Sequence, residues 1–156
     1  NHSDFPRFVR ALSEAMGPKD YLLLGADRIK DPTLLERAYN DSQGLTAQFI
    51  LNVFCHINDL LESNFDLAKM RYQARLNSEW QQIEMYAIAA QSHRVNFPTV
   101  ETFFDWHKDE KILVEISRKF DPQRLQEQLR FFDLLPVEHF TDANEWFSVL
   151  LFRKQG

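Results

Sequence analysis

The chain has 156 residues, 44% of them apolar and 13% aromatic, enough to bury one real core and too apolar for a disordered tail. Its net charge of -5 at pH 7, with no clustered Lys/Arg footprint, argues against nucleic acid as a partner. Glycine usage restricts it further: the four glycines, Gly17, Gly25, Gly44 and Gly156, are too far apart to form a phosphate-cradling or dinucleotide-binding loop.

Cys55 is the single cysteine, and its neighbours Phe54 and Ile57 mark it as a small core residue on a helix. A reducing compartment, the cytoplasm, is therefore expected. No apolar run reaches the ~20 residues a spanning helix needs, and Asn1 to Arg10 lack a signal-peptide pattern, so no membrane partner is expected. Asn1-His2-Ser3 reads as an engineered scar or a cut end.

Phe5, Phe8, Val9, Leu12 and Met16 recur at helical spacing and Gly17-Pro18 stops them, which predicts an amphipathic helix over 4–16. Tyr21-Leu22-Leu23-Leu24, ending at Gly25 and Asp27, is a short continuous apolar run of the kind found in a strand buried on both faces of a parallel sheet. Asp31-Pro32 supplies an N-cap acceptor and a first-position proline for a helix continued by Leu34, Leu35, Ala38 and Tyr39 and ending near Gly44. From Leu45 to Leu61, seven apolar positions from Phe49 to Leu61 trace one stripe of a longer helix.

After Asp66 the period changes to two: Met70, Tyr72, Ala74 and Leu76 face one way and Arg71, Gln73 and Arg75 the other, as in a half-buried strand. Asn77-Ser78-Glu79 is its turn. Further strands are predicted over 81–92, 101–107 and 111–120, with Lys108 to Lys111 as a polar hairpin connection. Asp121-Pro122 repeats the helix-start signal for a helix to about Asp133, and Val137 to Thr141 and Trp146 to Phe152 close the chain as two strands. The fold class is α+β, with an inserted antiparallel sheet between elements that look like part of an α/β layer.

Two residues stand out for chemistry. Glu115 and Ser117 lie two apart on a predicted strand and project from one face, roughly 7 Å apart by strand rise, with Val114 and Ile116 pointing oppositely. A carboxylate beside a hydroxyl can grip a small ligand that carries N–H donors. From spacing alone, the polar solvent side of a hairpin strand is the simpler reading. Tyr39, beside Asn40 and Asp41 at a helix end, is either a cleft phenol or a core tyrosine with a satisfied hydroxyl. Met85, flanked on its face by Ile83 and Ala87, is core or pocket wall. The five histidines show no paired spacing and there is no Cys-x-x-Cys, so no metal site is expected. No Gly-x-Ser-x-Gly elbow is present to hold a nucleophilic serine.

Two segments, Ala38-Tyr39-Asn40-Asp41-Ser42-Gln43-Gly44-Leu45-Thr46-Ala47-Gln48-Phe49 and Ile112-Leu113-Val114-Glu115-Ile116-Ser117-Arg118-Lys119-Phe120, resemble the histidine-specific methyltransferases of ergothioneine biosynthesis. Leu24-Gly25-Ala26-Asp27, Lys30-Asp31-Pro32, Asn64-Phe65-Asp66 and Ile83-Glu84-Met85 look like further landmarks in family order, so the likeness covers roughly 18–153. It implies the C-terminal part of a class I, Rossmann-like methyltransferase sheet with an inserted antiparallel α+β substrate-binding domain. On that plan 1–31 is a late core helix and strand, 32–120 the inserted recognition region, and 121–156 the C-terminal core helix and two strands.

The same resemblance implies S-adenosylmethionine as cofactor and methyl transfer to the α-amino nitrogen of histidine or a close relative. A neutral amine attacks the sulfonium methyl, so alignment and water exclusion are what the protein must supply. Position by position, Tyr39 resembles the tyrosine at the substrate's amino-acid end, Glu115 and Ser117 the pair that holds its imidazole, and Thr46 and Met85 pocket-lining positions. No residue here is assigned a catalytic role. The glycine-rich cofactor loop has no counterpart, so no cofactor-binding residue is expected in the chain, which should be inactive alone. Self-association, or association with a missing N-terminal half, is expected from an exposed strand edge. The alternative is a ligand-binding or assembly module that has lost cofactor chemistry.

Overall fold

The computed structural model describes residues 4–156, so the reading of Asn1-His2-Ser3 as an engineered scar or a cut end lies outside the described residues. The chain divides into two compact units, 1–30 with 119–156 and 31–118. Its overall class is mixed α and β. None of the described helices is long and apolar enough to cross a membrane.

The first unit contains α1 (Asp4–Ala15), β1 (Tyr21–Asp27) and the closing elements of the chain. These are a helix over Pro122–Arg130 and the strands Leu134–Thr141 and Phe147–Lys154. In chain order the elements are α1, β1, α2 (Pro32–Tyr39), α3 (Leu45–Leu61), β2 (Met70–Asn77), β3 (Gln82–Ala89), β4 (His93–Phe97), β5 (Thr102–Trp106), β6 (Lys111–Arg118), α4 (Pro122–Arg130), β7 (Leu134–Thr141) and β8 (Phe147–Lys154). One three-stranded antiparallel sheet, β1-β8-β7, carries the first unit. Val9, Ala26, Leu125, Leu129, Leu134, Leu150 and Phe152 form its core, with Leu22 and Leu24 packed against them.

β1 departs from expectation. It pairs antiparallel with β8 and alternates in burial, leaving Tyr21 and Leu23 more than half exposed, so it is not the doubly buried parallel strand its apolar run suggested. The continuous run supplies apolar side chains to both faces, but only the face carrying Leu22, Leu24 and Ala26 has described core against it.

The second unit holds α2, α3 and β2 to β6. β2-β3-β6 is an antiparallel sheet, and β4-β5 a separate two-stranded one. The expected hairpin through Lys108 to Lys111 is therefore a link between sheets, since β5 pairs with β4 and β6 with β3. β4 was not anticipated: its His93, Val95 and Phe97 alternate, but the strand is only five residues long and ends at Pro98. One apolar cluster joins Phe54, Phe65, Val95 and Trp106; another joins Leu35, Ile50, Ala74, Ile83 and Met85.

Helix ends follow from local chemistry. The Asp31 carboxylate accepts from the Thr33 and Leu34 N–H groups, and Asp121 does the same for Gln123 and Arg124, each ahead of a proline that has no N–H to satisfy. α2 stops at Tyr39, five residues before the expected Gly44, because Asn40 caps it through its backbone N–H and side chain, both bonded to the Glu36 carbonyl. Gly44 instead opens α3 from the left-handed region, at φ 69°.

Trp106 is 1% exposed and packs within 6.2 Å of Phe54, Phe65 and Phe104 by ring centroid. Replacing it with alanine leaves a large cavity, so Trp106→Ala should lower unfolding stability by about 3–5 kcal/mol. Urea denaturation followed by circular dichroism checks this; a loss below about 1 kcal/mol would mean that the cluster does not hold the second unit together.

Candidate functional site

All five residues singled out from the sequence lie in the second unit, and the sheet register brings Met85, Glu115 and Ser117 together. On β3, Ile83 pairs with Ser117 and Met85 with Glu115, while Leu76 and Ala74 of β2 pair with Ile83 and Met85 from the other side. Paired residues share a face, so Glu115 and Ser117 stand beside an apolar floor of Ile83, Met85 and Ala74. Met85 is 2% exposed and belongs to the apolar cluster with Leu35, Ile50, Ala74 and Ile83.

The register slips between Met85 and Tyr86, inserting Val114 as an extra residue in β6. Val114 packs against both apolar clusters of the unit, so it does not point away from the Glu115 face as strict alternation required. A bulge sets two residues against one and re-aims the strand locally.

Tyr39, the last residue of α2, reaches this face. Its hydroxyl and that of Ser117 are 2.7 Å apart in a hydrogen bond, across 78 residues of sequence. The resemblance assigns these two residues to opposite ends of a ligand; here their hydroxyls bond directly. Glu115 is exposed and its carboxylate makes no hydrogen bond or ion pair with a described residue. Thr46, half-buried in the first turn of α3, donates its N–H to the Asp41 carboxylate at 2.9 Å.

Two residues beside the five were not singled out. Tyr72 of β2 is half-buried, and its hydroxyl donates to the Tyr39 carbonyl at 3.0 Å. Burial pushes its phenol up to about 12, and the negative charges of Asp41 and Glu115, with Tyr39, add to the shift. That field ties Glu115, Tyr39, Tyr72 and Asp41 to one neighbourhood. The signal was available: Tyr72 is the one polar-tipped side chain in the row Met70, Tyr72, Ala74, Leu76.

Asp41 is the second. Its carboxylate accepts the Thr46 N–H and hydroxyl and the Leu45 N–H, which holds its pKa down at about 2 from an ordinary 3.8. Gly44 offers no side chain to cap α3, so Asp41 does it from outside the helix. An open depression of about 530 Å³ borders the group, lined by Asn40, Arg71, Tyr72, Gln73, Ile88, Asp109 and Lys111; it contains none of the five.

The arrangement presents carboxylate and hydroxyl groups over an apolar floor, which suits a small polar molecule with N–H donors. It does not suit a nucleoside-bearing cofactor. Of the four glycines, only Gly44 has a left-handed φ, and a Cβ on Gly25 would meet the Phe147 ring at 2.9 Å, so that close approach serves packing within the first unit.

With this geometry in view, the matches to known proteins are specific. The chain belongs to the histidine-specific, S-adenosylmethionine-dependent methyltransferase family, which matches residues 1–154. It is 38% identical over 148 residues to the histidine N-alpha-methyltransferase of Mycobacterium tuberculosis, covering 95% of this chain and 46% of that protein. It is 35% identical over 144 residues to the enzyme of the same name from Mycolicibacterium smegmatis, covering 92% of this chain and 45% of that one. Ergothioneine biosynthesis protein 1 of Neurospora crassa is 26% identical over 131 residues, 84% of this chain and 13% of that protein. The chain thus spans about half the length of the two bacterial relatives.

Because the folded-state pKa of Asp41 is depressed, its stabilising effect is complete above the unfolded value of about 3.8 and is lost as pH falls toward about 2. Asp41→Asn should therefore melt at a lower temperature than the unmodified chain at pH 5–7, with the gap closing between pH 4 and pH 2. Melting curves across that range check it. A gap independent of pH would mean that the charge of Asp41 contributes nothing to holding α3.

Proposed function

We propose that the protein of which this chain is part transfers a methyl group from S-adenosylmethionine to the α-amino nitrogen of histidine or a close relative, and that this chain carries the amino-acid-recognition part. The observation that carries the reading is the Tyr39–Ser117 hydrogen bond, which joins the end of α2 to β6 beside the exposed carboxylate of Glu115. The names and family of the relatives support the activity.

On this reading Glu115 accepts an imidazole N–H and Ser117 donates to, or accepts from, the other ring nitrogen. Tyr39 gives up its bond to Ser117 and turns to the amino-acid end. Exchanging one hydroxyl partner for another costs little, whereas an apolar ring in the same place would strand a carboxylate and a hydroxyl without partners. Met85 and Thr46 complete the wall. The wider plan that accompanies this reading is a class I methyltransferase sheet interrupted by a substrate region over 32–120.

The residues here do not fit S-adenosylmethionine, so its site is assigned to the part of the protein outside this chain. The first unit exposes Leu23, Phe140 and Phe147, apolar surface that fits association with that part or with a second copy. The half-buried, unpaired Cys55 on α3 suits a reducing, cytoplasmic setting.

The test is a turnover assay on the full-length protein with histidine and S-adenosylmethionine, reading N-methylated histidine by mass spectrometry. Methylated product is expected, and Glu115→Ala should reduce kcat/KM for histidine by 100-fold or more. Turnover of histidine unchanged by Glu115→Ala would sink the assigned role, and absence of any methylated histidine would sink the activity.

A further inference from the structure

β2 is the edge strand of β2-β3-β6, so every second peptide group along its outer side lacks a strand partner. The end of α2 supplies those partners. The Asn40 amide donates to the Ala74 carbonyl at 2.9 Å and accepts the Ala74 N–H at 3.0 Å, taking both groups of one residue as a neighbouring strand would. Two positions along, the Glu36 carboxylate accepts the Leu76 N–H at 2.9 Å. From the same strand the Tyr72 hydroxyl donates to the Tyr39 carbonyl at 3.0 Å. Tyr39 is therefore anchored through its own carbonyl and through its neighbour's side chain, both to β2, while its phenol reaches across β3 to Ser117 on β6.

We propose that Asn40, with Tyr72 as a second anchor, is a positioning residue that fixes Tyr39 in register over the Ser117 and Glu115 face and so sets affinity for the amino-acid substrate. The inference rests on the histidine-binding reading of that face. Asparagine is the short side chain that carries a donor and an acceptor in the geometry of a peptide group. Aspartate has the same shape but turns an acceptor toward the Ala74 carbonyl, so Asn40→Asp replaces one attraction with a repulsion. The variant separates register from bulk.

The consequences are specific to binding. A misplaced Tyr39 weakens a contact made equally before and during reaction, which raises KM while leaving kcat nearly constant.

The experiment uses the full-length protein with Asn40→Asp, Tyr72→Phe and Glu115→Ala prepared side by side. Histidine and S-adenosylmethionine dissociation constants are measured by calorimetry, with kcat, KM and melting temperature. For Asn40→Asp a tenfold or greater rise in the histidine KM is expected, with kcat within threefold and the cofactor constant within twofold. For Tyr72→Phe, which removes a single hydroxyl, a rise of threefold or more is expected, and this variant decides the matter if Asn40→Asp does not fold.

A histidine KM within twofold of normal in the folded variants overturns the proposal. So does a loss in which kcat and cofactor affinity fall in step with histidine affinity, since that marks general destabilisation. If Glu115→Ala leaves histidine binding intact, the histidine reading itself has failed; if Glu115→Ala abolishes it and the other two do not alter it, the positioning role alone has failed.

Discussion

Backbone peptide groups that lose water must find partners, and in the second unit short polar side chains meet that demand wherever helix and sheet leave off. Asp31 closes the start of α2, Asn40 its end, Asp41 the start of α3, and Asn40 with Glu36 the outer edge of β2. These are consecutive solutions along residues 31–41. Tyr39 lies within that stretch, so the bonds that close the helices also place the side chain that reaches β6.

The polar face that results is uneven in a useful way. Asp41 is held ionised by the N–H groups it caps, and Tyr72 is held protonated by burial and by the anions around it. Glu115 alone presents its carboxylate to solvent with no described partner. The opposite face of the same sheet differs: Glu84, 6% exposed, accepts from Asn77, Gln82 and Tyr86 and sits 3.6 Å from Arg75, so its hydrogen-bonding capacity is used within the protein. Two carboxylates on one sheet are thus a closed structural group and an open one, and only the open one suits a ligand.

Much of this could be read from the residues. The Asp-Pro pairs announced α2 and α4, the apolar stripe announced α3, and the two-residue spacing of Glu115 and Ser117 put them on one face. What escaped has physical causes. β1 looked doubly buried because its apolar residues run continuously, although half of them face outward. β4 escaped because only Val95 and Phe97 of its five residues are apolar, too few to show a period. Val114 was misdirected by a bulge, which no alternation rule foresees. The end of α2 was placed late because asparagine in sequence carries no sign of which backbone it will bond. The pairing of Tyr39 with Ser117 is long-range, and only the folded register brings them to 2.7 Å.

The central claim is that Tyr39, Glu115 and Ser117 form one amino-acid site. A crystal structure of the full-length protein with histidine bound tests it most directly. The account predicts the imidazole within hydrogen-bonding distance of both the Glu115 carboxylate and the Ser117 hydroxyl, with the Tyr39 hydroxyl moved to the amino-acid end. Histidine bound away from Glu115 and Ser117, with the Tyr39–Ser117 bond intact, would contradict it.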